Sequence, residues 1–175
     1  MVGIIKFGAV LFLPLVASAS PSLAQSQARA PFDTTKAVPY YTPTAVGQAL
    51  RAMGHTVQSA QAKSGNTYLQ VVAKNGFKFH VYFSVCKEGK DKCKGLIASA
   101  FWTQPDDFSV VQMIERTRKF NNSYGFVNSG LGKDGRLYMR RFSLAEYGTN
   151  QGNIRGEIRT FISLGSKFTA EVFAK

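Results

Sequence analysis

Lys74–Cys86 reads KNGFKFHVYFSVC, and this stretch decides the fold. Asn75-Gly76 is a tight-turn dipeptide, because both residues tolerate positive φ. Phe77, Phe79, Val81, Phe83 and Val85 then alternate with Lys78, His80, Tyr82 and Ser84. That period of two predicts a strand with one buried row of aromatic and aliphatic side chains. Before the turn, TYLQVVA (Thr67–Ala73) is rich in β-formers, and HTVQSAQ (His55–Gln61) reads as a weaker strand. After Cys93, LIASAFW (Leu96–Trp102) reads as the next one. Together they predict an antiparallel meander.

Helical periods frame it. In TPTAVGQALRAMG, Thr42 fits an N-cap and Pro43 the first helical position. Val46, Leu50 and Met53 share one face, and Gly54 marks the end. A second helix runs through SVVQMIERTRKFN, with Asp106 or Asp107 expected as its cap and Val110, Ile114 and Phe120 near its apolar face. GFVNSGL, the turn GKDG and RLYMRRFSL predict a hairpin. The chain closes on a long helix whose stripe holds Ile154, Ile158, Phe161, Phe168 and Val172. Gly165 lies on that stripe, where a glycine costs about 1 kcal/mol against alanine. Its place predicts close backbone approach to the sheet. The fold class is therefore α+β, an antiparallel sheet with flanking helices, in the order α-β-β-β(-β)-α-β-β-α.

The chain has 175 residues, and 22 Lys and Arg stand against 10 Asp and Glu, a net charge of +12. Residues 1–24 read as a signal peptide: Lys6, the apolar run Phe7–Ala17, then small residues, with the cut expected after Ala24 or, alternatively, Ala19. The run is shorter than the ~20 residues a spanning helix needs. Residues 25–41 read as a flexible arm punctuated by Pro31 and Pro39, and residues 42–175 as the domain. The expected location is periplasmic or secreted. The charge favours anionic partners such as an envelope surface, and export disfavours nucleic acid.

Few motifs carry chemistry. Gly130-x-Gly132-x-x-Gly135 matches a dinucleotide pattern, but it lies between two expected strands instead of opening a helix. His55 and His80 are the only histidines and have neither a nucleophile motif nor metal spacing beside them. Trp102 and the phenylalanines read as core. No cofactor, metal site or catalytic residue is expected. Lys87, Lys90, Lys92 and Lys94 surround the only two cysteines, Cys86 and Cys93, and are the candidate anion contacts. The cysteines end one strand and begin the next, around a turn at Gly89. A disulfide is preferred there over free or regulatory thiols, and a metal site comes last, because zinc wants four ligands.

The strand ending at Cys86, the second cysteine soon after, LIASAFW, and the capped helix running into KFNNSYGFVNSGLGKDGRLYMRRFSL together resemble the YbjN family. The matching positions are Phe120-Asn121, Tyr124-Gly125-Phe126 and Lys133-Asp134-Gly135, within a resemblance that covers about residues 42–172. This chain has phenylalanine where tryptophan is common and fewer acids at the hairpin turn. The resemblance implies a fold similar to type III secretion chaperones, which often dimerise and hold client segments. The family is described as sensory-transduction regulators, which names no mechanism and brings no catalytic residues. The expectation is an exported, non-enzymatic binding module, chaperone-like or regulatory, holding a protein or peptide partner. A basic envelope-associated protein binding anionic lipid or polyanion is the alternative, and an enzyme the weaker one.

Overall fold

The computed structural model describes residues 33–87 and 91–174, all within the compact unit Phe32–Lys175. The expected signal peptide, residues 25–32 of the arm, Gly89 and Lys90 lie outside the described residues.

The order is β1 (Ala37–Val38), α1 (Pro43–Ala52), β2 (Thr56–Gln61), β3 (Thr67–Val72), β4 (Lys78–Cys86), β5 (Cys93–Thr103), α2 (Val110–Ser123), β6 (Asn128–Leu131), β7 (Arg136–Leu144), β8 (Thr149–Asn150) and α3 (Gln151–Val172). The main sheet has six strands in the order β2-β3-β4-β5-β7-β6, every pair antiparallel. The expected meander and hairpin thus merge into one sheet, through β5 pairing with β7 along nine residues. This is the α+β architecture the sequence predicts.

The helices pack on one face of that sheet. Leu69, Val71, Phe79, Val81, Leu96, Ala98, Ala100, Leu137 and Met139 point into the core and meet Val46, Leu50, Ile154, Ile158, Phe161 and Phe168. All the stripe residues expected on α3 are buried, Gly165 included. A Cβ built on Gly165 would fall 2.3 Å from Phe77 Cζ, so the missing side chain makes room for that ring. Thr42 caps α1 by accepting from the Ala45 N–H at 3.0 Å, and Gly54 follows the helix with φ 83°.

The structure corrects four expectations. Part of the segment expected as a flexible arm is ordered: β1 pairs with β8, and Tyr41 pairs with Cys93. Val38 and Tyr41 are both buried and cover the end of the core. The cap of α2 is Ser109, not Asp106 or Asp107. Its hydroxyl accepts from the Gln112 N–H while the Gln112 side chain accepts from the Ser109 N–H, a reciprocal capping box. The buried face of α2 is Met113, Thr117 and Phe120, leaving Val110 and Ile114 about half exposed. A threonine can occupy that face because its hydroxyl donates back to the Met113 and Ile114 carbonyls. Finally, the buried row of β4 stops short of Val85. That residue has φ 53° and is 57% exposed, so the alternation breaks just before the cysteine loop.

Candidate functional site

An antiparallel sheet covered on one face presents the alternate side chains on the other. Register aligns them into rows. Tyr68, Tyr82, Ile97 and Phe142 lie side by side across β3, β4, β5 and β7. The neighbouring row is Gln70, His80, Ser99, Arg140 and Asn128, and beyond it Phe101 faces Tyr138 and Gly130. The open face is therefore aromatic across its width. The Tyr68 and Tyr82 rings stack at 5.3 Å, His80 meets both of them and Phe101, and Arg140 lies 4.7 Å from the Tyr138 centroid. Arg136 sits 5.0 Å over Phe101. This corrects the reading of the phenylalanines as core: Trp102 stacks on Phe168 beneath the sheet, but Phe101 and Phe142 belong to the open face.

Two glycines lay the rings flat. A Cβ on Gly95 would come 3.0 Å from Phe142 and 2.3 Å from Ser84 Oγ, and one on Gly130 would come 3.0 Å from the Tyr138 hydroxyl. Each aromatic ring thus covers the bare backbone of its neighbouring strand. At one end the face opens into a groove of roughly 500 Å³ lined by Ile97, Gly125, Phe126, Val127, Asn128, Arg140 and Phe142. Phe126 and Phe142 are both more than half exposed there. Arg141, rooted on the helix side, donates to the Phe126 carbonyl at 3.2 Å and lies under its ring.

The face is basic. The open phase of the strands carries Lys78, Arg136 and Arg140, of which Arg136 pairs with Asp134 at 2.7 Å, and none of the eight described strands contains Asp or Glu. Burial and the Arg136 charge hold the His80 imidazole below its ordinary pKa, which favours the neutral ring. Burial and the Tyr68 neighbour raise the Tyr82 phenol, against the pull of Arg140 and Arg136. A surface of neutral rings and guanidinium groups can stack on flat apolar groups and pair with anions.

The predicted site residues fall into three places. Cys86 and Cys93 form a disulfide across β4 and β5. Of the lysines, Lys87 lies 5.7 Å from the Tyr40 ring and Lys92 is exposed, whereas Lys94 pairs with the Glu146 carboxylate at 2.6 Å. The remaining positions shape the groove and its support. Phe120 is core, and Asn121 reaches over to β6. There its amide donates to the Ser129 carbonyl, and its oxygen accepts from the Ser129 N–H and hydroxyl, all at 2.8 Å. Asn121 so acts as a substitute strand on the sheet's edge. Gly125 lines the groove, and Asp134 and Gly135 (φ 74°) make the β6–β7 turn, where Arg136 hydrogen bonds hold the Asp134 carboxyl below its usual range. The GxGxxG stretch is thereby a hairpin.

Sequence reasoning missed Tyr68, Tyr82, Phe101, Tyr138, Arg140 and Phe142. The signal was the second phase of the strand alternation, which holds rings as the first does. Among the described residues no three His, Cys, Asp or Glu side chains gather as a metal site would require, and no helix is long and apolar enough to cross a membrane.

No family model matches the chain, and no curated protein matches it. Among solved structures it is similar to the crystal structure of YbjN from E. coli, at 13% identity and a TM-score of 0.46, over 74% of this chain and 86% of that one. The relationship is a distant one. It carries no argument about function, which rests on the face itself.

Proposed function

We propose that this chain is a non-enzymatic binding module whose open sheet face holds an extended protein or peptide segment bearing apolar and acidic side chains. The observation that carries the reading is the joining of an aromatic–arginine face to the groove between Phe126 and Phe142. An apolar side chain fills the groove, and an adjacent carboxylate pairs with Arg140, as flat aromatic and Arg anchors do at protein interfaces. The experiment is chemical-shift mapping of the labelled mature protein with a synthetic peptide alternating Phe and Glu, against the same peptide with Lys for Glu. The reading expects shifts confined to the open face, with the Glu peptide alone.

The strands' lack of carboxylates favours a second reading, an anionic lipid surface or polyanion held by charge. Salt separates the two: binding that survives ~0.3 M salt, where the screening length is a few ångströms, needs the apolar groove. The disulfide and the expected signal peptide support an exported setting, where such a bond persists.

A further inference from the structure

A separate cavity of roughly 300 Å³ lies on the helix side of the sheet, lined by Met53, His55, Ala73, Lys74, Asn75, Arg155, Arg159 and Ile162. Three elements build it. Arg155, Arg159 and Ile162 follow one another at i, i+4, i+7 on α3 and share a face. Lys74 and Asn75 come from the β3–β4 turn. His55 comes from the end of α1, where Gly54 at φ 83° turns the chain and the His55 N–H donates to the Leu50 carbonyl at 3.2 Å.

The histidine's protonation follows from its partner. The Lys74 backbone N–H donates to His55 Nδ1 at 3.2 Å, so Nδ1 bears a lone pair and the neutral ring carries its proton on Nε2. Burial holds the imidazole below its ordinary pKa, which keeps it neutral. Nε2 is buried and has no hydrogen-bond partner. It is therefore a donor lacking an acceptor, and such groups call for an explanation. Around the cavity stand one lysine and two arginines, with no Asp or Glu in the lining. Among the described residues, Lys74 and Arg159 enter none of the ion pairs. The apolar side, Met53, Ala73 and Ile162, lowers the local dielectric and strengthens what the cations do.

We propose that this cavity binds a small ligand through an anionic oxygen group, a phosphate or a carboxylate, with Arg159 and Lys74 supplying charge and His55 the neutral donor. The site lies across the sheet from the open face, so it stands or falls independently of the function proposed there.

The test titrates the mature protein with inorganic phosphate, and separately with acetate, against sodium chloride at equal ionic strength. His55 and His80 ring signals are followed by NMR, so that anion pairing at Arg140 on the open face is read separately from the cavity. Expected is a saturable His55 shift with phosphate or acetate, the stronger of the two naming the group. Arg159→Gln should weaken it about tenfold or more, as loss of a charge-assisted contact does, while Arg140→Gln leaves it unchanged. Circular dichroism confirms that each variant is folded, and Lys74→Gln serves if Arg159→Gln is not. A His55 response that sodium chloride reproduces, or folded variants that bind as the parent does, would overturn the proposal.

Discussion

Gly165→Ala should destabilise the protein, although alanine is the better helix former. The substitution gains about 1 kcal/mol in helix propensity. Against that, the new Cβ would meet Phe77 Cζ at 2.3 Å and Cε1 and Cε2 at 2.7 Å. Carbon contacts settle near 3.5 Å, so the ring must retreat by ~1 Å. It is not free to do so without loss, because it packs against Phe79 at 5.8 Å, Trp102 at 6.0 Å and Phe161 at 6.1 Å. Overpacking of this kind costs about 1–3 kcal/mol. The net is a loss of roughly 1 kcal/mol, or ~3–4 °C in Tm for a domain of this size. The sign should reverse when Phe77→Ala removes the obstacle: Gly165→Ala then adds about 1 kcal/mol. Urea denaturation of the four proteins in the cycle reads both values. A Gly165→Ala single variant more stable than the parent would refute the reasoning, because it would mean that no ring occupies the space above that glycine.

Glu157 is pushed up by burial, but hydrogen bonds from Arg141 and Ser143 and the Arg141 charge outweigh this and hold its carboxyl below the usual range. A depressed folded pKa contributes stability above the unfolded value near ~4.3 and loses it as pH falls through the folded one. Glu157→Gln should therefore cost about 1–2 kcal/mol at pH 7, with the gap to the parent closing in acid denaturation scans below pH ~4. Reducing the Cys86–Cys93 bridge, seven residues apart, should cost roughly 2.5 kcal/mol in the chain-entropy account. A thiol assay on the unfolded, unreduced protein should find no free thiol. Asn121→Ala orphans the Ser129 N–H and carbonyl at the sheet edge, with an expected loss of about 1–3 kcal/mol. Hydrogen exchange should speed up at β6 before it does at β4.

The fold was legible because one period dominated each segment. Phe79 and Val81 against His80 and Tyr82 made a strand, and Ile154, Ile158 and Phe161 made a helix. Gly165 was legible for the same reason, as a gap in an apolar stripe. The cap of α2 was not, because two aspartates compete with a serine and only Gln112 three residues on settles the choice. The faces of β5 and β7 were harder still. Phe101 beside Trp102, and Phe142 after Arg141, put large side chains on both phases, so alternation alone cannot say which lies inward. That choice depends on which face α3 covers, a long-range fact. The open face assembles strands whose rows exist only once the register is set, and the cavity beside His55 joins residues a hundred positions apart.

The central claim is that the open sheet face holds its partner through the groove and Arg140 together. The most direct test is the affinity for the alternating Phe–Glu peptide, measured by calorimetry at ~0.3 M salt, of the parent, Phe142→Ser and Arg140→Glu. The account predicts measurable binding by the parent and a loss of at least tenfold in each variant, with Tm unchanged within a few degrees. Equal binding by all three proteins would contradict it.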